Sequence, residues 1–123
     1  MLGLTEKTND FREIEQLVAD GNEQATLALE IFCHRLRKYI GAYSAILGGL
    51  DVLIFTAGIG ERSPMVRAMT TRNMEYLGVV VDEAKNKTNA FDIGIGRVKV
   101  LVVPTNEELA IARDTKLVLQ QHR

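Results

Sequence analysis

The chain has 123 residues, 46% of them hydrophobic, with 15 Lys and Arg against 16 Asp and Glu for a formal charge of -1; a domain of this size buries about two-thirds of the surface its unfolded form exposes. No apolar stretch approaches the roughly 20 residues of a membrane span, and interspersed near-neutral charge with three Tyr, four Phe and no Trp gives no footprint for nucleic acid. Cys33 alone excludes an internal disulfide framework or a cysteine zinc site, and without a basic then apolar leader a reducing cytoplasm is the expected location.

From Met1 to Asn9 the chain is a short approach in which Leu2 and Leu4 alternate like the end of a strand. Asp10-Phe-Arg-Glu13 then opens a helix with capping-box spacing, and Asp20-Gly21 closes it. A longer helix begins near Asn22, because Ala25, Ala28, Leu29, Phe32, Leu36, Tyr39, Ile40, Tyr43 and Leu47 recur at steps of three and four; Gly48-Gly49 ends it. Its basic run, Arg35, Arg37 and Lys38, reads as the wet side of the helix. His34 has no ligand partner at i+4, and His122 is expected in a frayed terminus.

Asp51-Val-Leu-Ile-Phe-Thr56 is a continuous apolar run, read as a buried strand, and it passes directly into Ala57-Gly-Ile-Gly-Glu61. Gly58 and Gly60 lack a Cβ, so a ligand can approach the main chain there or the loop can adopt φ > 0. Ser63 as N-cap and Pro64 at N1 start the next helix, which extends to Asn73 and whose N-terminal dipole favours negative charge. Strand, glycine loop and helix in this order suit a nucleotide phosphate; they suit an ordinary tight βα turn as well.

Downstream, Leu77 to Val81 reads as a short strand, Lys85 to Asn89 as exposed polar chain, and Ile93-Gly-Ile-Gly-Arg97 as a turn, since that second G-x-G precedes a strand instead of following one. The strand at 98–103 leads through Pro104-Thr-Asn-Glu-Glu108 into a last helix with apolar residues at Leu109, Ile111, Leu117 and Val118. Helices alternating with two strands predict an α/β fold with a parallel pair, whose carboxyl ends lie on one edge. The loops at 57–63 and 104–108 should therefore line one crevice. Thr105 and Glu108 have capping-box spacing, which leaves Glu107 over. A carboxylate in a first helical turn is explained by the dipole; it also suits a magnesium ion, which takes one or two carboxylates, waters and substrate phosphates.

Several segments together carry a resemblance: Asn9-Asp-Phe-Arg12, Tyr39-Ile-Gly-Ala-Tyr43, Asp51 to Glu61, Ser63-Pro-x-Val-Arg67, and Val103-Pro-Thr-Asn-Glu-Glu-Leu-x-Ile-Ala112. In this order, over essentially the whole chain, they resemble the C-terminal part of the acetate kinase family, with propionate and butyrate kinases as relatives. The resemblance implies a partial actin-like, ribonuclease H-like ATPase lobe with a short parallel sheet core flanked by helices. It implies phosphoryl exchange between ATP or ADP and a short-chain carboxylate with Mg2+, and a homodimer. It places Asp10, Phe11 and Arg12 near the adenosine, makes Gly58, Ile59, Gly60 and Glu61 a nucleotide loop, and associates Glu107 with magnesium. Arg62, which completes the nucleotide-binding set, stands where the family usually has asparagine and brings a positive charge that tolerates nearby phosphate; Ala57 stands where a glycine is common.

The family enzyme is about three times longer. The N-terminal lobe, which should supply the phosphoryl clamp and the acceptor pocket, is not in this sequence, so no catalytic residue is assigned here and the chain alone is expected to be inactive. A noncatalytic association module that keeps the fold is the alternative. A two-stranded sheet with an unpaired edge favours self-association in either case.

Overall fold

The computed structural model describes residues 2–5 and 7–121; the expectation for His122 lies outside them. The elements run α1 (Leu2–Thr5), α2 (Phe11–Ala19), α3 (Glu23–Leu47), β1 (Val52–Thr56), α4 (Ala57–Arg62), α5 (Pro64–Thr71), a 3-10 turn (Glu75–Leu77), α6 (Glu83–Lys87), β2 (Lys99–Val103) and α7 (Glu107–Gln121). The first segment is a helical turn and not the expected strand end. The described sheet contains β1 and β2 alone, so residues 2–5 have no ladder to join.

The two long early helices start as their caps dictate. The Asp10 carboxylate accepts from the N–H of Arg12 at 2.9 Å, and the Asn22 side chain accepts from Ala25 at 2.9 Å. Gly48, at φ 73, supplies the left-handed residue that ends α3. The stripe read along α3 divides into two parts. Ala25, Ala28 and Leu29 are buried and Phe32, Leu36 and Ile40 half-buried, whereas Tyr39, Tyr43 and Leu47 are exposed; Cys33, outside the stripe, is buried and Ile46 exposed. Arg37 is not simply on the wet side. Its guanidinium donates to the carbonyls of Met69 and Thr70 at the end of α5, which pins the two helices together.

Strands β1 and β2 pair in parallel, with Val52 opposite Lys99 and Thr56 opposite Val103. One core cluster lies against this pair: Phe55, Met74, Val79, Ile93, Val98, Val100 and Val102. A second joins Leu29, Cys33 and Val66, with Phe11 and Phe32 at its margin. Each large apolar side chain removed from water contributes about 1.5–3 kcal/mol. β1 is less buried than its apolar sequence suggests, because Val52 and Ile54 point away from the core.

Two more expectations change, and two elements gain detail. Residues 77–81 form no strand: the 3-10 turn and Gly78 at φ 86 redirect the chain, and only a single bridge, Val81 to Gly94, remains. Residues 85–89 are largely helical, and Asn86 within them is buried. The second G-x-G is a packing device as well as a turn, since a Cβ on Gly96 would stand 2.3 Å from the Gly78 carbonyl oxygen. The last helix buries none of its apolar residues. Among the described residues no helix is long and apolar enough to cross a membrane.

Candidate functional site

Parallel register determines where the two corners meet. Because Thr56 and Val103 are paired, both strands end at the same level, and the Thr56 hydroxyl donates to the Val103 carbonyl at 2.8 Å. The chain therefore leaves β1 into α4 and leaves β2 into Pro104-Thr-Asn-Glu at one edge, as expected of an open α/β sheet. Gly58, Glu61 and Arg62 on one side and Thr105, Asn106, Glu107 and Glu108 on the other line a crevice of about 380 Å3.

Glu61 closes the crevice at its base. Its Oε1 accepts from the Thr105 backbone N–H at 2.8 Å and from the Thr105 hydroxyl at 2.9 Å. These bonds from Thr105, first the backbone N–H and then the hydroxyl, hold the Glu61 carboxyl below its ordinary range, with smaller help from the Ala57 N–H and the Arg62 charge. Glu61 thus supports the opposite corner. The expected Thr105–Glu108 capping box does not form: Thr105 is engaged by Glu61, and the adjacent Asn106 caps α7 by accepting from Leu109 N–H at 2.9 Å. Glu107 and Glu108 occupy the first turn of α7 and border the crevice.

The glycine segment is a helical turn and not an open loop, and neither Gly58 nor Gly60 has a positive φ. Ala57 takes the left-handed conformation, at φ 59, in the one place a glycine would relieve. The two glycines differ in kind. A Cβ on Gly60 would sit 3.2 Å from the Phe55 carbonyl carbon, whereas one on Gly58 meets nothing within 4 Å. Gly60 therefore permits α4 to fold back on β1, and Gly58 leaves open main chain on the crevice.

A second hollow of about 370 Å3 adjoins the first through Gly58 and Arg62, which border both, and is walled by Asp10, Phe11, Arg12, Glu15 and Ile59. Sequence reasoning missed what brings α2 there. Ser63 caps α5 by accepting from Val66 N–H at 3.0 Å while its hydroxyl donates to Glu15 of α2. Within this wall the Phe11 ring meets Phe32 edge-on at 4.9 Å. The Arg12 guanidinium folds back on Asp10, with NH2 to Oδ2 at 2.8 Å, and holds that carboxyl below its ordinary range. Asp10, Phe11, Arg12, Gly58, Ile59, Glu61, Arg62 and Glu107 thus lie around two joined hollows; Gly60 lines neither and faces Phe55 on the inner side of α4. Among the described residues no three His, Cys, Asp or Glu form a metal-binding group. The donor set present, a first-turn carboxylate beside open main chain, suits an ion whose other ligands are phosphate oxygens and water.

Solved structures of related chains fit this one closely. Porphyromonas gingivalis acetate kinase superposes with a TM-score of 0.86 at 42% identity, over 96% of this chain and 31% of that one. A propionate kinase from Francisella tularensis superposes at 0.83 with 39% identity, over 90% of this chain and 29% of that one. The fold is accordingly part of an actin-like ATPase lobe.

The profile of the acetokinase family matches residues 1–113. Acetate kinases of Caldicellulosiruptor saccharolyticus and Moorella thermoacetica are 50% and 48% identical, each over 98% of this chain and over 32% and 31% of their own length. The chain belongs to the acetokinase family and spans about a third of the length of the curated relatives it matches.

Proposed function

We propose that the chain is the C-terminal, nucleotide-binding part of the second lobe of an acetate kinase, contributing the phosphate rim of a site that in the longer protein transfers the ATP γ-phosphoryl group to acetate. The observation that carries this reading is the joining of the α4 and β2–α7 corners by Glu61 and Thr105, which puts open main chain at Gly58 beside the first-turn carboxylate of Glu107. The nucleotide's base and sugar occupy the hollow walled by Asp10–Arg12 and Ile59, and the polyphosphate runs past Gly58 and Glu61 toward Glu107. Arg62 borders both hollows and suits phosphate charge there.

Glu107 is the residue that would hold Mg2+, which when bound neutralises phosphate charge. Phosphoryl transfer rests on positioning and on a clamp of opposite charge. This chain presents a nucleotide rim with no acceptor pocket assigned to it, so it binds Mg-ADP or Mg-ATP without turning over. Titration with Mg-ADP beside a coupled assay of acetate-dependent ATP consumption tests both parts: binding with no consumption is expected, and turnover by the isolated chain contradicts the second part.

One observation favours a second reading, a homodimeric association module without a useful nucleotide site. Ile46 and Leu47 at the end of α3 are 79% and 74% exposed, and α7 leaves Ile111 and Leu119 more than 60% exposed. A concentration-dependent dimer that gives no heat with Mg-ADP would select it.

A further inference from the structure

We infer that Arg67 is a positioning residue: from within α5 its guanidinium holds α4 by the carbonyls at its end, and so sets Gly58 and Glu61 in place on the crevice. The inference rests on the nucleotide reading of that crevice, but its first measurement does not.

Arg67 is fully buried, at 0% exposure, and takes part in neither ion pair of the described residues. Burial pushes the guanidinium down from its ordinary value, opposed by the charge of Glu15. A buried cation is tolerable only when its donors are satisfied, and an apolar side chain of similar volume usually serves packing at least as well. Here all five N–H donors find acceptors. NH1 donates to the Gly60 carbonyl at 2.7 Å and the Glu61 carbonyl at 3.0 Å. Nε donates to Asn86 Oδ1 at 2.7 Å, and NH2 donates to the Asn86 carbonyl at 2.9 Å and to Asn89 Oδ1.

The two halves of this set do different things. Gly60 and Glu61 lie in the last turn of α4, where carbonyls lack helical partners and a cation is favoured. Asn86 and Asn89 anchor the other side of the planar group to α6 and the turn after it, and Asn86 in turn donates to the Pro64 carbonyl at 2.9 Å. Arg67 is therefore a rigid strut between a fixed anchor and the segment that carries the open main chain. A lysine keeps the charge but cannot span both sides with one ammonium group.

The test is amide hydrogen exchange on the full chain, with Mg-ADP titration beside it, for Arg67→Lys and Asn89→Gly. The second variant removes one anchor while relieving the positive φ of 52 at Asn89, so it retains the fold if Arg67→Lys does not. Amides 57–62 should exchange about tenfold faster in Arg67→Lys and about threefold faster in Asn89→Gly, with α3 and β1 unchanged. Mg-ADP affinity should fall by about tenfold in Arg67→Lys. Equal acceleration in α3 and β1, or no change at 57–62 in the folded variants, overturns the inference. Absence of Mg-ADP binding in the unaltered chain counts against the nucleotide reading alone, because exchange still judges the strut.

Discussion

Glu61 and Thr105, 44 residues apart, are joined by two hydrogen bonds to one carboxylate oxygen, at 2.8 and 2.9 Å, across the ends of the two parallel strands. That clasp aligns the α4 corner with the β2–α7 corner. If the crevice is a nucleotide rim, either partner should matter through the alignment of the two corners. Thr105→Val keeps the backbone bond and removes the hydroxyl one, so Mg-ADP affinity should fall by about threefold, and by about tenfold in Glu61→Ala, where the remaining partners lose a charged acceptor. Calorimetric titration of both variants checks the ranking, and equal affinities in all three proteins would show that the clasp sets nothing.

The same carboxylate fixes a pH dependence. Its folded pKa is lowered, first by the Thr105 backbone N–H and then by the Thr105 hydroxyl, so the clasp contributes above the ordinary glutamate pKa of about 4.3 and is lost as pH falls through the lowered folded value. Acid melts should therefore show a loss in the unaltered chain below about pH 4 that is smaller in Glu61→Gln. Asp10, held down by Arg12, adds to the acid loss in the same direction and remains in both proteins. Identical acid profiles would remove Glu61 from the account.

The two glycines of α4 should respond oppositely to a methyl group. Gly60→Ala drives a Cβ to 3.2 Å from the Phe55 carbonyl carbon, which is backbone and yields little, so a loss of about 1–3 kcal/mol is expected. Gly58→Ala meets open space in a helical turn and should be neutral or gain up to about 1 kcal/mol, yet weaken Mg-ADP by crowding the main chain. Denaturant melts and titrations on the pair separate folding from binding.

Gly96 supplies a control remote from the crevice. A Cβ there would lie 2.3 Å from the Gly78 carbonyl oxygen, so Gly96→Ala should cost at least about 2 kcal/mol. Tightly bound ligand aside, whatever protein remains folded should bind Mg-ADP as before.

Much of this arrangement was readable in the chain because local chemistry decided it. The caps at Asp10, Asn22 and Ser63, the stop at Gly48 and the parallel pair with its corners at one edge all follow from short-range patterns. What escaped was set by distant partners. Thr105 had capping-box spacing with Glu108, but Glu61 takes its hydroxyl and leaves Asn106 to cap α7. Residues 85–89 read as exposed polar chain until Arg67, on another helix, required Asn86 as an acceptor. The glycines at 58 and 60 looked alike in sequence; only the approach of Phe55 distinguishes them. The apolar residues of α7 and of the end of α3 stay exposed among the described residues.

Calorimetric titration of the unaltered chain and of Glu107→Gln with ADP, once with magnesium and once with a chelator, tests the nucleotide rim most directly. Single-site binding that magnesium strengthens, with that magnesium gain reduced about tenfold in Glu107→Gln and chelated binding unchanged, is the predicted result. No heat beyond dilution, or a magnesium gain indifferent to Glu107, would contradict it.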